Sequence, residues 1–143
     1  QELCEGDRQH AEDAIHELYL ARVGVGEMLA TINPSLLFEL QKYHPAAYKQ
    51  FQRYRLDFLY NIILKNISRG IKEDIFRDDL KPELVARLRV ESLLLPFNPE
   101  FQEYTKFTVS EAQEELIELY LFSLVNAKGH KLALKYKRKY QHK

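Results

Sequence analysis

Four acidic residues lie close together in the segment RGIKEDIFRDDLKPE, residues 69–83: Glu73, Asp74, Asp78 and Asp79. Carboxylate oxygens bind divalent cations, so a metal loop is the first chemistry to consider. A calcium loop of the EF-hand type needs carboxylates at alternate positions, a glycine at the sixth position and a glutamate at the twelfth. The segment lacks that spacing, whereas Pro82 and Glu83 suit the first turn of a helix. The sequence therefore predicts a joint between two helices here, and no metal site.

The other residues that could carry chemistry form no recognised catalytic pattern. No two of the five histidines are four residues apart, and the HExxH pattern is missing. His16 and Glu12 lie one helical turn apart, which is typical of an exposed contact on a helix. The glycine patterns of phosphate-binding and dinucleotide-binding loops are missing too, and Cys4 has no evident base. We therefore expect no enzymatic activity, no catalytic residue and no cofactor.

Aromatic residues are the more informative feature, since the chain has nine tyrosines and eight phenylalanines. Several fall on the inward faces of the first and third predicted helices. They either fill a tightly packed core or line an apolar cavity, in which tyrosine hydroxyls would orient a small ligand. A methionine on the first helix would form an adaptable part of the cavity wall. The candidate ligand-binding residues are Tyr19, Met28, Phe51, Tyr54 and Phe58.

The elements that must position these residues are helices. Apolar residues recur at three- and four-residue steps, and the alternating patterns of strands are scarce. The sequence predicts an all-α fold, a bundle of about six helices that forms a single domain over residues 1–143. The expected helices cover about residues 7–32, 34–43, 45–70, 82–95, 110–126 and 129–140.

Prolines and one capping motif mark the expected helix starts. Pro34, Pro45 and Pro82 suit the first helical turn, where the missing N–H is not needed. Thr108 and Glu111 have the spacing of a capping box. A loop is expected between the fourth and fifth helices.

Glycines mark special positions in this pattern. Gly129 is expected to be a turn before the last helix. Gly24 and Gly26 lie inside the first helix, where they indicate either close approach by another element or a point where the helix bends.

Charge and composition exclude some classes of protein. The net charge is zero, so no overall basic field indicates a nucleic-acid binder. Residues 128–143 carry seven basic and no acidic side chains, which is typical of solvated surface and less often of a nucleic-acid or membrane contact. A single cysteine and the lack of a long apolar run favour a cytoplasmic protein without a membrane partner. The chain begins at Gln1 without a methionine, which suggests a fragment or a processed form.

At least two helices carry more apolar surface than one core would bury, which favours association. We expect a homodimer that forms through the helices Pro82 to Leu95 and Ser110 to Asn126. The candidate interface residues are Leu84, Leu88, Leu95, Leu116, Tyr120 and Leu124.

The acidic segment also carries a resemblance to a known family. The run GIKEDIFRDDLKPELVARL, residues 70–88, resembles the C-terminal domain of TetR-family transcriptional regulators, in which a helix ends in a pattern close to G-I-x-E-G-x-F-R-x-D. The matching residues are Gly70, Ile71, Glu73, Phe76, Arg77 and Asp79. Asp74 stands where the family commonly has glycine.

Two further runs extend the resemblance to about residues 33–136. ELYLFSLVNAKGHKLALKY, residues 118–136, looks like the last dimerisation helix of the family and its closing turn. NPSLLFELQKYHPAAYKQF, residues 33–51, is similar to a branch of the family from Bacteroidetes-type bacteria. The order and spacing of the three runs strengthen the resemblance.

The resemblance implies a regulatory domain and a mechanism. Family members begin with a helix-turn-helix domain that binds operator DNA, and this chain lacks it. Two copies would pair through a four-helix bundle, and an apolar or aromatic effector would enter between the first, third and fourth helices. Binding would shift the first helix and so change operator binding, as a repressor or an activator.

A different class of function stays open, namely a dimeric helical scaffold or adaptor with no small-molecule ligand. It predicts a filled interior, whereas the regulator predicts a cavity. The coding sequence upstream of Gln1 also distinguishes the regulator from the scaffold. A helix-turn-helix there favours the regulator, and a start codon at this point favours the scaffold.

Overall fold

The computed structural model describes residues 11–21 and 34–141, and for residues 34–38, 94 and 141 it describes the backbone alone. Within this part the chain is all-helical, as predicted, and has no strand beyond one isolated bridge between Phe76 and Val125. Seven helices are present here: α1 (residues 14–21), α2 (Pro34–Tyr43), α3 (Pro45–Lys72), α4 (Pro82–Leu94), α5 (Pro99–Thr105), α6 (Val109–Leu124) and α7 (Ala127–Gln141). Gly24 and Gly26, for which the sequence left a close approach or a bend open, lie outside the described residues.

Prolines and a capping motif set four of the helix starts, and these predictions are confirmed. Helices α2, α3 and α4 begin at Pro34, Pro45 and Pro82, whose fixed φ suits a first turn. At the start of α6 the Thr108 hydroxyl accepts a hydrogen bond from the Glu111 N–H, at 3.1 Å. The Glu111 carboxylate accepts one from the Thr108 N–H, at 3.3 Å, which completes the capping box.

The prediction of a loop between the fourth and fifth helices is wrong. A 3-10 turn, Leu95–Phe97, continues α4, and the short helix α5 follows it. The Asn98 side chain caps α5 by accepting hydrogen bonds from the N–H groups of Glu100, at 2.9 Å, and Phe101, at 3.2 Å. An asparagine followed by proline and glutamate is therefore a helix start here. This helix is the reason that the described chain has seven helices and not six.

The predicted turn at Gly129 is also wrong. Gly129 lies in the first turn of α7, and α6 ends at Leu124. Asn126 caps α7, because its Oδ1 accepts a hydrogen bond from the Gly129 N–H at 2.8 Å. A Cβ added at Gly129 would overlap the carbonyl group of Ile75 and lie 3.1 Å from the Cβ of Val125. Glycine is therefore required by the close approach of α7 to another segment, and not by a chain reversal.

The main hydrophobic core gathers α1, the α3–α4 connection (residues 73–81), α6 and α7. From the connection, Ile75 and Phe76 are buried against Leu121 and Leu124 of α6. The remaining buried members are Ala14, Ile15, Tyr19, Val125, Ala133 and Tyr136. The acidic segment is thus part of the core on its apolar side, while three of its carboxylates, Asp74, Asp78 and Asp79, are exposed.

Hydrogen bonds fix the α3–α4 connection to the end of α6. The Arg77 N–H donates to the carbonyl of Leu124 at 2.8 Å, and the Asn126 N–H donates to the carbonyl of Ile75 at 3.1 Å. The Arg77 guanidinium also pairs with both carboxylate oxygens of Asp79, each at 3.0 Å. Hydrogen bonding to this guanidinium lowers the pKa of Asp79. The setting of this ion pair, on the connection that joins α3 to α4, shows a structural role.

The same connection holds the N-terminal end of α1. The Glu73 carboxylate accepts a hydrogen bond from the Ala14 N–H at 2.8 Å, which satisfies a free donor of the first turn. Arg69 bridges Glu73, at 3.0 Å, and Glu17, at 2.9 Å. Burial lowers the pKa of Arg69, but its bonds to Glu73 and Glu17 outweigh this effect and raise it. Asn66 completes the set by donating to the carbonyl of Ala14 at 2.9 Å.

Asp74 has a backbone conformation that favours glycine. Its φ is 60°, in the left-handed region that most residues avoid. Aspartate tolerates this region better than most residues, and the Asp74 carbonyl accepts a hydrogen bond from the Asn126 side chain at 2.9 Å. A positive φ at this position gives a physical reason for the glycine in the G-I-x-E-G-x-F-R-x-D pattern.

Candidate functional site

A cavity of about 220 Å³ lies between α1, α3, α4 and α6. Its walls are mainly apolar. The larger apolar side chains that line it include Leu18, Leu59, Ile62, Ile63, Leu93 and Ile117. Ligand pockets share this character, an apolar wall with a few polar groups, and pockets for drug-sized molecules have volumes of about 300–1,000 Å³. The volume here suits a smaller molecule.

A second, smaller cavity of about 40 Å³ adjoins the first. The two share Leu18, Ala21, Ile62, Ile63 and Arg89 in their walls. The small cavity is also lined by Glu17, Asn66 and Tyr120, although its accessible surface is mainly apolar. Its volume exceeds the ~10–15 Å³ that a single water needs. The combined space is therefore mainly apolar, with a few polar side chains in its walls.

Arg89 is the cation in the wall that the two cavities share. Its Cζ atom lies 4.8 Å from the centroid of the Tyr120 ring, in a cation–π contact. Among the described residues no carboxylate forms an ion pair with it. Burial lowers the pKa of Arg89, and the nearby Tyr120 only partly offsets this effect. A desolvated cation without an anion is unfavourable, so the site gains free energy from an anionic partner.

Two polar atoms beside Arg89 have no hydrogen-bond partner. They are the Tyr120 hydroxyl and the Oδ1 atom of Asn66, and both are buried. Burial raises the pKa of the Tyr120 hydroxyl, which therefore stays protonated and can donate a hydrogen bond. Most buried polar groups in proteins have a partner, so unpaired groups beside a cavity indicate that something else occupies the space.

Helical spacing explains how the sequence places Arg89 inside. Ala86 and Val90 are fully buried on the inward face of α4. Arg89 and Leu93 lie three residues after them, so all four point toward α3 and α6. The signal in the sequence is therefore a charged residue, Arg89, that falls by helical spacing on the apolar face of α4.

The predicted ligand-binding residues do not line this cavity. Tyr19 is buried in the main core, where it stacks on Tyr140 with centroids 5.1 Å apart. Phe51 and Tyr54 lie in the first half of α3 and are 44% and 64% exposed. Phe58 is half-buried outside the cavity wall. Met28 lies outside the described residues.

The cavity lies between the helices that sequence reasoning selected, but the selected side chains do not line it. Phe58, for example, is next in sequence to the lining residue Leu59. The first half of α3 packs against α2, and the core begins only near Asn66. Residues that line the cavity, Leu59, Ile62 and Ile63, follow the aromatic stripe along the same helix. The aromatic residues of α3 were therefore a poor guide to the position of the cavity. Whether a side chain on a long helix is buried depends on which part of that helix packs against other helices.

The predicted interface residues fall into two groups. Leu84 and Leu88 are 65% and 68% exposed, and Leu95 is also exposed. The other three face inward. Leu116 lines the cavity, Tyr120 lies against Arg89, and Leu124 is buried in the core.

Other kinds of site have no support in the described part of the chain. Among residues 11–21 and 34–141 no three His, Cys, Asp or Glu side chains form a group that could hold a metal ion. None of the helices in these residues is long and apolar enough to cross a bilayer. Comparison of the chain with models of protein families, with curated proteins and with solved structures gave no match.

Proposed function

We propose that this chain is the effector-sensing and dimerisation domain of a TetR-like transcriptional regulator. A small ligand would bind in the cavity between α1, α3, α4 and α6. Operator DNA would be bound by a helix-turn-helix domain outside these 143 residues. The observation that carries the proposal is the cavity itself, because a scaffold without a ligand needs a filled interior.

The attachment of α1 supports a mechanism for the signal. Hydrogen bonds to Glu73 and Asn66 hold α1 at Ala14, its N-terminal end. Leu18 and Ala21, one and two turns further along, form part of the cavity wall. A ligand that displaces these two residues would tilt α1 and strain its hydrogen bonds at Ala14. Release of these bonds would free the chain that precedes α1 to move, which changes the spacing of the two DNA-binding domains.

An exposed leucine stripe supports the homodimer. Leu84, Leu88 and Leu95 follow a spacing of four and then seven residues, so they lie on one face of α4 and the turn after it. This face is opposite the buried Ala86 and Val90. Two-fold symmetry would bring the same stripe of two copies together, as in an isologous helical bundle.

We expect neutral apolar probes to bind in the cavity. Toluene and 1-octanol should each raise the melting temperature of the chain by a few degrees, since ten times the Kd corresponds to about 1.4 kcal/mol of stabilisation. The substitution Ile63→Phe should abolish the shift, because its larger side chain fills the space. Differential scanning calorimetry measures both effects.

The control for this experiment is Leu119→Phe, which enlarges an exposed leucine on α6. This variant should respond to both probes like the unmodified chain. An unmodified chain that responds to neither probe would contradict a ligand-binding cavity and favour the adaptor. A shift that persists in Ile63→Phe would place the probes elsewhere and also count against the proposal.

We expect the double substitution Leu84→Glu and Leu88→Glu to convert a dimer into a monomer. The symmetry of the proposed interface would bring the new carboxylates of both copies together in a desolvated contact. Sedimentation equilibrium gives the mass, and circular dichroism checks that helicity is kept. Tyr104→Glu, at an exposed position on α5, should remain a dimer. A monomeric unmodified chain, or a double variant that stays dimeric, rules out this interface.

A further inference from the structure

The unpaired charge in the wall shared by the two cavities narrows the class of ligand, and this inference rests on the proposed function. We infer that the cavity selects an organic anion: an apolar body in the large lobe and a carboxylate that meets the guanidinium of Arg89 at the wall shared with the small lobe. Two observations carry it, the unpaired cation in the shared wall and the unpartnered hydroxyl of Tyr120 beside it.

The carboxylates near the lobe do not satisfy Arg89. Glu17 lines the small lobe, but its Oε1 accepts from Asn66 at 2.8 Å and its Oε2 from Arg69 at 2.9 Å. Glu114, on the α6 wall of the large cavity, is exposed. Neither contributes to the pKa of Arg89. The positive charge at the shared wall therefore remains available to a ligand.

A carboxylate fits the donors present. The guanidinium offers N–H groups in a planar fork that matches a carboxylate, and the Tyr120 hydroxyl adds a further donor. A cationic ligand would place two positive charges together in a desolvated space, which is strongly unfavourable. A neutral alcohol would fill the apolar lobe but leave Arg89 without a counter-charge.

Three probes of equal chain length distinguish an anionic, a neutral and a cationic ligand: octanoate, 1-octanol and octylammonium, respectively. Isothermal titration calorimetry at pH 7.5 and constant ionic strength gives the Kd of each. We expect octanoate to bind about tenfold or more tightly than 1-octanol, a difference of ~1.4 kcal/mol. Octylammonium should bind most weakly. In Arg89→Gln the preference for octanoate over 1-octanol should disappear, while the Kd of 1-octanol changes less than about threefold.

Retained binding of 1-octanol shows that the Arg89→Gln variant is folded with an intact cavity. The matched control is Arg87→Gln, on the same helix, where the guanidinium lies over the ring of Tyr60 at 4.9 Å and outside the cavity wall. It should keep the full preference for octanoate. Arg89→Lys, which keeps the charge, should retain part of that preference.

The outcomes distinguish this inference from the proposed function. If 1-octanol binds as tightly as octanoate, the cavity is a ligand site but the anion preference is refuted. If octanoate is preferred and Arg89→Gln keeps the preference, Arg89 is not its anchor and the inference fails. If none of the three probes binds, the inference and the cavity's role as a ligand site fail together.

Discussion

Replacement of Gly129 by alanine is expected to lower the free energy of unfolding by about 3 kcal/mol or more. The new Cβ would overlap the carbonyl oxygen of Ile75 and stand 2.9 Å from its carbon. A backbone carbonyl cannot rotate away as a side chain does. This one also accepts the hydrogen bond from the Asn126 N–H. Relief of the overlap therefore requires α7 to move away from the α3–α4 connection. Urea unfolding followed by circular dichroism measures the loss.

The direction of this effect is diagnostic because alanine is the better helix former. At an ordinary position inside a helix, Gly→Ala stabilises by up to about 1 kcal/mol. A matched change on the outer face of α7, Lys135→Ala, should leave the unfolding free energy within about 0.5 kcal/mol. A Gly129→Ala variant as stable as the unmodified chain would show that α7 does not pack against Ile75 in this way.

Sequence patterns predict the helices well because their signals are local. A proline at a first turn and a hydroxyl three residues before a carboxylate act within one turn, as at Pro82 and Thr108. The prediction of a turn at Gly129, in contrast, was wrong. Glycine is common both in turns and at close approaches, and the approaching group, Ile75, lies 54 positions earlier in the chain. The tertiary contact that decides between the two meanings is not contained in the local sequence.

The candidate site could be predicted only to the level of helices. Tyr19, Phe51, Tyr54 and Phe58 have the residue types of a pocket wall, yet Tyr19 belongs to the core and two of the others are exposed. Periodicity gives the apolar face of a helix but not the length over which that face has a neighbour. Arg89 shows the converse difficulty. A charged residue in an amphipathic helix is normally solvated, and only the packing of α4 against α3 and α6 makes this one part of a cavity wall.

The second large effect that we expect concerns Gly70 and Phe76. A Cβ at Gly70 would overlap the Phe76 ring and stand 2.5 Å from its Cγ. Phe76 is only 1% exposed and packs within the main core, so its ring cannot turn out into solvent. Gly70→Ala alone should therefore cost about 1–3 kcal/mol, and Phe76→Ala alone about 3–5 kcal/mol because it leaves a cavity in the core.

Combined in one chain, the two changes should show a reversal of sign. The three atoms nearest to the new Cβ at position 70 all belong to the ring that Phe76→Ala removes. In the Phe76→Ala background, Gly70→Ala should thus be neutral or stabilising, by up to the ~1 kcal/mol that alanine gains over glycine in a helix. The coupling free energy from the four unfolding curves should reach at least about 1 kcal/mol. In a Val90→Ala background, which removes buried apolar atoms outside this core cluster, the Phe76 ring is still held in place, and Gly70→Ala should remain destabilising there. Equal costs of Gly70→Ala with and without the ring would mean that the end of α3 is not held by this contact, and the glycine in GIKEDIFRDD would then need another explanation.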